Sequence, residues 1–429
     1  MSNTEEVKKL AEELKERGLI EQTGGGELAE ILAQTRKVYL GIDPTADSLT
    51  VGHLGPVFLM KHLADAGHEV NFLIGGGTGM IGDPRASGER VLLDEETIEA
   101  NSKAVKAQLQ RILGDQKYTM FNNADWLGKL SLIEFLRDTA KHFTVNQLIK
   151  REIIKKRLDD ENDSISFTEF SYALLQGYDY WYLNKEHDID LQIGGSDQWA
   201  NIISGIDLIR RREQKNAYAI TLPLLIDKKT GKKFGKSEGN AVWLDPEKTT
   251  PFAFYQFWLN VSDENVADYL KPLTFLKLTE ISSILEEHNK DLSKRVAQRK
   301  LAYEVTMIVH GKDTAESAEK TSLILYGSDP VSILSKLSEA ERKEIKKEIP
   351  NIIISAKDIE GGLSLADILV SSNLATSKGE AKRSIEGKAV RLNDKLIEDV
   401  SILASLSDFP EGMALLRSGK KVSLIILEK

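Results

Sequence analysis

The stretch 37–54 reads KVYLGIDPTADSLTVGHL, and the period of its apolar positions changes partway along. Val38, Tyr39, Leu40 and Ile42 make a short apolar run closed by Asp43-Pro44, where proline has no N–H for a sheet ladder, so a buried strand ends near Ile42. From Asp47-Ser48 onward the chain reads as a helix start, with Leu54, Val57, Phe58 and Met60 at helical spacing. The exchange repeats: 70–74 reads as a strand, 93–114 as a helix, 118–121 as a strand, 130–142 as a helix, and 188–193 as a strand running into Gly194-Gly195. Such alternation predicts an α/β fold with a doubly wound parallel sheet. The segment 150–164 is charged and reads as surface. Residues 251–326 are helical in pattern throughout, 327–359 are charged and poor in aromatics, and 361–429 form a compact unit of two short amphipathic helices, a strand, a turn at Asn393-Asp394 and a second strand.

Polar side chains gather where the predicted strands end, which in an open α/β sheet is where ligands sit. Asp43, Thr45, Thr50 and His53 follow the first strand. The second is followed by GGGTGMIGDPRASGER, whose glycines allow close backbone approach. It carries Asp83, with Arg85 and Arg90 placed either to reach a polyphosphate or to form a solvated loop face. In ISFTEFSYALLQGYDYWYLN, a helix that Thr168 can cap, Tyr172, Gln176 and Asp179 fall on one stripe and need partners if buried, from one another or from a ligand. Asp197 heads a helix after LQIGG. Last comes DKKTGKKFGKSEGNAVWLD, which charge alone would make a solvated loop. Folded, it can bring Lys233 and Lys236 onto one pyrophosphate, with Ser237 adding a hydroxyl.

Composition narrows the chemistry. A chain of 429 residues with 41% hydrophobic positions can bury a real core in several domains. It has no cysteine, so disulfides, thiolate metal ligands and a cysteine nucleophile are excluded. No apolar run reaches the length of a membrane span, and the charged N-terminus lacks a signal peptide's core, so a soluble, cytoplasmic protein is expected. A net charge of −9 argues against nonspecific nucleic-acid binding by the whole surface. It leaves room for a local patch: 378–395 holds six basic against three acidic residues.

GIDPTADSLTVGH, SYALLQGYDY, IGGSDQW and KFGKS, in this order, resemble the signatures of class I aminoacyl-tRNA synthetases, specifically the tyrosyl branch. The resemblance covers nearly the whole chain and is weakest in 327–359. It implies a Rossmann-like catalytic domain over 1–225, a catalytic KFGKS loop over 226–248, a helical, partly tRNA-contacting domain over 249–326, a linker over 327–359, and at 360–429 a small α+β RNA-binding domain similar to one found in a small-subunit ribosomal protein. In the family's pattern Tyr39 donates to the phenol oxygen of the substrate tyrosine and Asp179 accepts the phenol proton. Asp83, Tyr172 and Gln176 surround its ammonium group, with Gln192 and Gln198 near the substrate. ATP falls to Gly41, Asp43, Gly52, His53, Gly195, Asp197 and Lys236, with adenine flat against Gly52 and the ribose hydroxyls on Asp197. Thr45, Thr50, His53, Lys233, Lys236 and Ser237 make up the catalytic set, and Ser377, Lys378, Lys382 and Arg383 would face RNA phosphate.

The first signature ideally reads His-Ile-Gly-His, and here Thr50 holds the place of the first histidine. Either a phosphate contact is weaker in this chain or Thr45 and His53 carry it. The implied reaction joins L-tyrosine to ATP as tyrosyl-adenylate, releases pyrophosphate, and passes the tyrosine to the terminal ribose of tRNA. Magnesium travels with ATP, no tightly bound protein metal is expected, and family members are usually homodimers. Two alternatives stand beside this one: the same chemistry on tryptophan, and a noncatalytic RNA-binding paralogue that kept the fold.

Overall fold

The computed structural model describes residues 3–84, 92–228, 231, 241–327 and 329–428. It resolves into two compact units, Met1–Thr249 with Leu259–Leu301, and Thr250–Trp258 with Ala302–Lys429. The division runs through the region that reads as one helical domain in sequence.

The first unit opens with helix α1 (Asn3–Glu16) and holds a six-stranded sheet in the order β1-β6-β5-β2-β3-β4. Its strands are β1 (Gln22–Gly24), β2 (Lys37–Ile42), β3 (Glu69–Ile74), β4 (Tyr118–Asn122), β5 (Leu191–Gly195) and β6 (Tyr218–Leu222). All pairings are parallel except β1 on β6. From β2 the chain steps outward to β3 and β4, then returns to β2's other side to lay down β5 and β6. The crevice between β2 and β5 is therefore the topological switch point, and there Tyr39 is in register with Gln192. Helix α2 (Leu54–Asp65) buries nearly every apolar residue it has, while α3 (Glu95–Leu113) turns one face inward. Helices α4 (Phe167–His187) and α5 (Trp199–Glu213) pack closely at Gly205, where a Cβ would lie 2.8 Å from the Cβ of Tyr180. Helices α6 (Asp263–Leu270) and α7 (Leu278–Lys290) also belong to this unit.

Element existence follows the sequence, and several boundaries do not. The helix expected from Asp47-Ser48 begins as a single 3-10 turn at Val51–His53. Ser166, not Thr168, caps α4, accepting from the Glu169 amide at 3.2 Å, because the residue before the first helical turn is the one whose hydroxyl meets the free N–H groups. The helix expected over 130–142 is three short pieces: Leu132–Glu134, a π turn at Phe135–Thr139 and a 3-10 turn at Ala140–His142. Asp188 is the left-handed C-cap of α4 rather than the start of β5. Within the charged segment 150–164, Arg157 is buried and ion-paired to Glu169 at 2.8 Å.

In the second unit a five-stranded sheet runs β7-β11-β10-β8-β9, with β7 (Asn351–Ser355), β8 (Val390–Leu392), β9 (Lys395–Leu396), β10 (Met413–Ser418) and β11 (Lys421–Glu428). Asn393 and Asp394, both with positive φ, make the expected tight turn between β8 and β9. The stretch 327–359 is not a linker. It contributes helix α9 (Glu339–Glu348) and strand β7, which pairs in parallel with β11. The cause lies in the sheet, because β10 and β11 bury both faces. Ala414, Leu416 and Ile425 meet the helices α10 (Leu365–Ser371) and α11 (Lys378–Glu386). Met413, Leu415, Leu424 and Ile426 meet Ile324 and Leu325 of α8 (Lys312–Tyr326), together with Leu334, Leu337, Ile345 and Ile349. An apolar second face needs a cover, and the charged-looking stretch supplies it.

Candidate active site

A cavity of about 330 Å³ opens at the switch point, lined by the carboxyl ends of β2, β3 and β5, the first turn of α2 and one face of α4. That volume suits a small molecule. The expected stripe on α4 is real: Tyr172, Gln176 and Asp179 all face this space, opposite Tyr39 and Gln192.

At the closed end lies Asp179, 2% exposed. Its Oδ1 accepts from Trp126 Nε1 at 2.7 Å and its Oδ2 from Asn123 Nδ2 at 2.8 Å. Burial pushes its pKa up to about 7, the Asn123 and Trp126 donors oppose that rise, and the Asp43 carboxylate adds to it. The Tyr39 hydroxyl is buried with no hydrogen-bond partner among the described residues, and so are Gln176 Oε1 and Gln192 Oε1. Three orphaned polar atoms on one cavity call for a ligand that supplies their partners, since leaving each unpaired costs about 1–3 kcal/mol.

Further out, Asp43 accepts from Tyr172 Oη at 2.6 Å and from Thr78 Oγ1 at 2.7 Å, and Asn123 donates to Thr78 at 2.9 Å. Burial, and then the Asp43 charge, hold the Tyr172 hydroxyl well above its ordinary pKa, so it stays a donor. Gly75 is required at the end of β3, because a Cβ there would overlap Asp43 Oδ1. Asp83 accepts from Gln198 Nε2 at 2.8 Å and from Asn201 Nδ2 at 3.4 Å.

Gly41, Asp43, Thr45, Thr50, Gly52, His53, Gly195 and Asp197 line the mouth of the same cavity. His53 Nδ1 lies 3.1 Å from both the amide nitrogen and the hydroxyl of Thr50. Lys233, Lys236 and Ser237, like Arg85 and Arg90, lie outside the described residues. The chain on either side of the lysine-bearing segment is fixed at this cavity. Leu224 and Leu225 line it, while Val242 O accepts from the Val51 amide at 3.1 Å and the Leu244 amide donates to Leu49 O at 2.9 Å. Ser377, Lys378, Lys382 and Arg383 are exposed at the start of α11, where Ser377 caps the helix through the Glu380 amide and Lys378 pairs with Asp367 at 2.5 Å.

Sequence reasoning missed Asn123, Trp126 and Thr78. Asn123 had a signal, since it directly follows a strand in the same sheet, as Asp43 does. Trp126 had none, because an indole in an apolar stretch reads as core.

Fold and cavity together define a doubly wound α/β domain with a buried polar pocket at its switch point. Residues 33–327 match the model for tRNA synthetases class I (W and Y), and residues 341–426 match the SYY-like C-terminal domain of tyrosine–tRNA ligase. Among curated relatives, the tyrosine–tRNA ligase of Klebsiella pneumoniae is 44% identical over 430 residues, covering 98% of this chain and 98% of that protein. That of Streptococcus mutans is 42% identical over 423 residues, 97% of this chain and 99% of the relative. A C-terminally truncated mitochondrial tyrosyl-tRNA synthetase from Aspergillus nidulans superimposes with a TM-score of 0.66 at 33% identity, over 75% of this chain and 97% of that one. The chain belongs to the class I aminoacyl-tRNA synthetases of the tryptophan and tyrosine branch, and it carries the C-terminal domain of the tyrosyl enzymes.

Proposed function

We propose that this protein is a tyrosine–tRNA ligase: it activates L-tyrosine with ATP to tyrosyl-adenylate and pyrophosphate, then transfers tyrosine to the 3′-terminal adenosine of tRNA(Tyr). The observation that carries the substrate assignment is the buried Tyr39 hydroxyl and the Asp179 carboxylate on one cavity, the first without a partner among the described residues. A tyrosine phenol satisfies both, accepting from Tyr39 and donating to Asp179, and a ring without the hydroxyl would strand them. Asp83, with Tyr172 and Gln176, takes the ammonium group, and Gln192 and Gln198 border the rest of the amino acid.

ATP lies across Gly41, Asp43, Gly52 and Gly195, its ribose on Asp197 and its phosphates toward Thr45 and His53, where the positive end of the α2 dipole favours anions. Lys233, Lys236 and Ser237 act on the leaving pyrophosphate from a segment whose flanks are fixed at that mouth. Magnesium accompanies the ATP phosphates as part of the substrate. The attacking nucleophile is the tyrosine carboxylate itself, so the protein's work is to position two substrates and stabilise phosphate charge. The C-terminal unit binds tRNA through Lys382 and Arg383 above all, since Ser377 and Lys378 already have intramolecular partners.

We infer a cytoplasmic homodimer. Between α3 and α4 the chain exposes Leu132, Ile133 and Val145, and Phe167 at the start of α4 is 75% exposed, apolar side chains that a second copy of the chain would cover. Tyrosine-dependent exchange of pyrophosphate into ATP tests the activity. Exchange driven by tryptophan, or none, would overturn the reading.

A further inference from the structure

Helix α5 carries on its first two turns three acceptors that converge on one side chain from the preceding segment. Arg151 donates from Nη1 to Asn201 Oδ1 at 2.5 Å and from Nη2 to Ala200 O at 3.1 Å and Ser204 Oγ at 2.5 Å. Ser204 spends its own proton on Ala200 O at 2.9 Å, which leaves its oxygen facing the guanidinium as an acceptor. A guanidinium can only donate, so the oxygen of the Asn201 amide must point to it and the nitrogen must point away. Asn201 Nδ2 accordingly meets Gln198 Oε1 at 3.1 Å and Asp83 Oδ1 at 3.4 Å. With its oxygen taken, Gln198 turns its own nitrogen to Asp83 Oδ2 at 2.8 Å. Each amide would otherwise be free to flip, and either flip would set a carbonyl oxygen against the Asp83 carboxylate.

We propose that Arg151 is a positioning residue for substrate binding, which acts through Asn201 and Gln198 to hold the Asp83 carboxylate in the orientation that receives the amino acid's ammonium group. The role rests on the assignment of Asp83 to the ammonium group made above. Arg151 itself does not line the cavity. Burial lowers its pKa to about 10 against the pull of Asp83, so it remains a cation at neutral pH and keeps the chain of donors pointing one way. Asn201 is only 8% exposed, so water is a poor substitute for the missing donor.

The test compares two ligands on the full-length protein by equilibrium dialysis: L-tyrosine and 3-(4-hydroxyphenyl)propionate, which keeps the phenol and the carboxylate but lacks the amino group. Arg151→Met is expected to weaken tyrosine about tenfold, as loss of a charge-assisted hydrogen bond does, and to leave the deaminated ligand unchanged. Arg151→Lys should recover part of the loss, because an ammonium can also only donate. Asn201→Leu, melted alongside the parent to establish folding, should reproduce the Met result and serves if Arg151→Met does not fold. Equal weakening of both ligands, or of neither, would overturn the proposal. Asp83→Asn separates the two levels. If it too fails to distinguish the ligands, the ammonium assignment falls and takes the relay with it. If it distinguishes them and Arg151→Met does not, the relay alone falls.

Discussion

The amide of Thr50 donates to Nδ1 of His53 across 3.1 Å, and the Thr50 hydroxyl stands at 3.1 Å from the same nitrogen. A backbone N–H can only donate, so in this contact Nδ1 is the acceptor. The family signature places a histidine at 50, and this chain instead has a side chain that helps clamp the remaining histidine at the start of α2. Thr50→Val keeps the amide and removes the hydroxyl. It should slow tyrosyl-adenylate formation by about 0.5–1.5 kcal/mol, the net worth of one neutral hydrogen bond, while tyrosine affinity stays put. Thr50→Ser should match the parent. Pre-steady-state measurement of adenylate formation checks both, and an unchanged rate in the valine variant would make the clamp dispensable.

The indole of Trp126 and the amide of Asn123 occupy one oxygen each of Asp179. Trp126→Phe removes a donor to a buried carboxylate, which typically costs about 1.5–3 kcal/mol, or roughly 10- to 100-fold in affinity. Tyrosine binding should fall by that order. The preference for tyrosine over phenylalanine should shrink with it, because a carboxylate held less firmly is a poorer judge of the phenol. Competition between the two amino acids in pyrophosphate exchange reads the ratio directly.

Asp179 also sets a pH dependence. Its folded pKa of about 7 lies above the ordinary aspartate value of 3.8, so between those values the ligand-free protein holds a proton that the unfolded chain releases. The stabilising contribution is complete below about pH 4 and is lost as pH rises through about 7. Substrate runs the opposite way, since the phenol donates to the ionised form: tyrosine affinity should climb as pH rises toward 7 and level off above it. Asp179→Asn should remove this limb, which calorimetric titration across the range would reveal. A flat profile in the parent would mean that the phenol does not meet this carboxylate.

Lys236 offers a cleaner separation of binding from chemistry. Lys236→Ala should lower the adenylation rate by at least about tenfold with little change in tyrosine affinity, because a cation on departing pyrophosphate acts on charge that develops during the reaction. Equal losses in both would reduce the residue to a support of the fold.

The exposed apolar side chains between α3 and α4 make association testable. Ile133, 70% exposed, is changed to glutamate with no cavity left behind. If this face joins two copies, sedimentation velocity should show Ile133→Glu dissociating at concentrations where the parent stays dimeric, with the melting curve of the monomer intact.

Much of the site was legible because the motifs sit where a period-2 run meets a period-3.6 run. Tyr39, His53, Asp83 and Asp179 could be placed by which strand end or helix face they follow, and the stripe of Tyr172, Gln176 and Asp179 needed only the pitch of a helix. Boundaries moved by a few residues because a cap depends on which hydroxyl reaches an N–H in space, as Ser166 does and Thr168 does not.

What the sequence determined by itself was local: strand and helix identity, the order of the polar loops, and the chemistry those loops can carry. What only the tertiary structure decided was partnership. Asn123 and Trp126 reach Asp179 from a segment more than fifty positions away, Arg151 connects to Asp83 through the amides of Asn201 and Gln198, and the charged stretch 327–359 folds because β10 and β11 leave it an apolar face to cover. Hydrogen bonds and buried faces are satisfied by whatever the fold brings near, and distance along the chain carries no record of that.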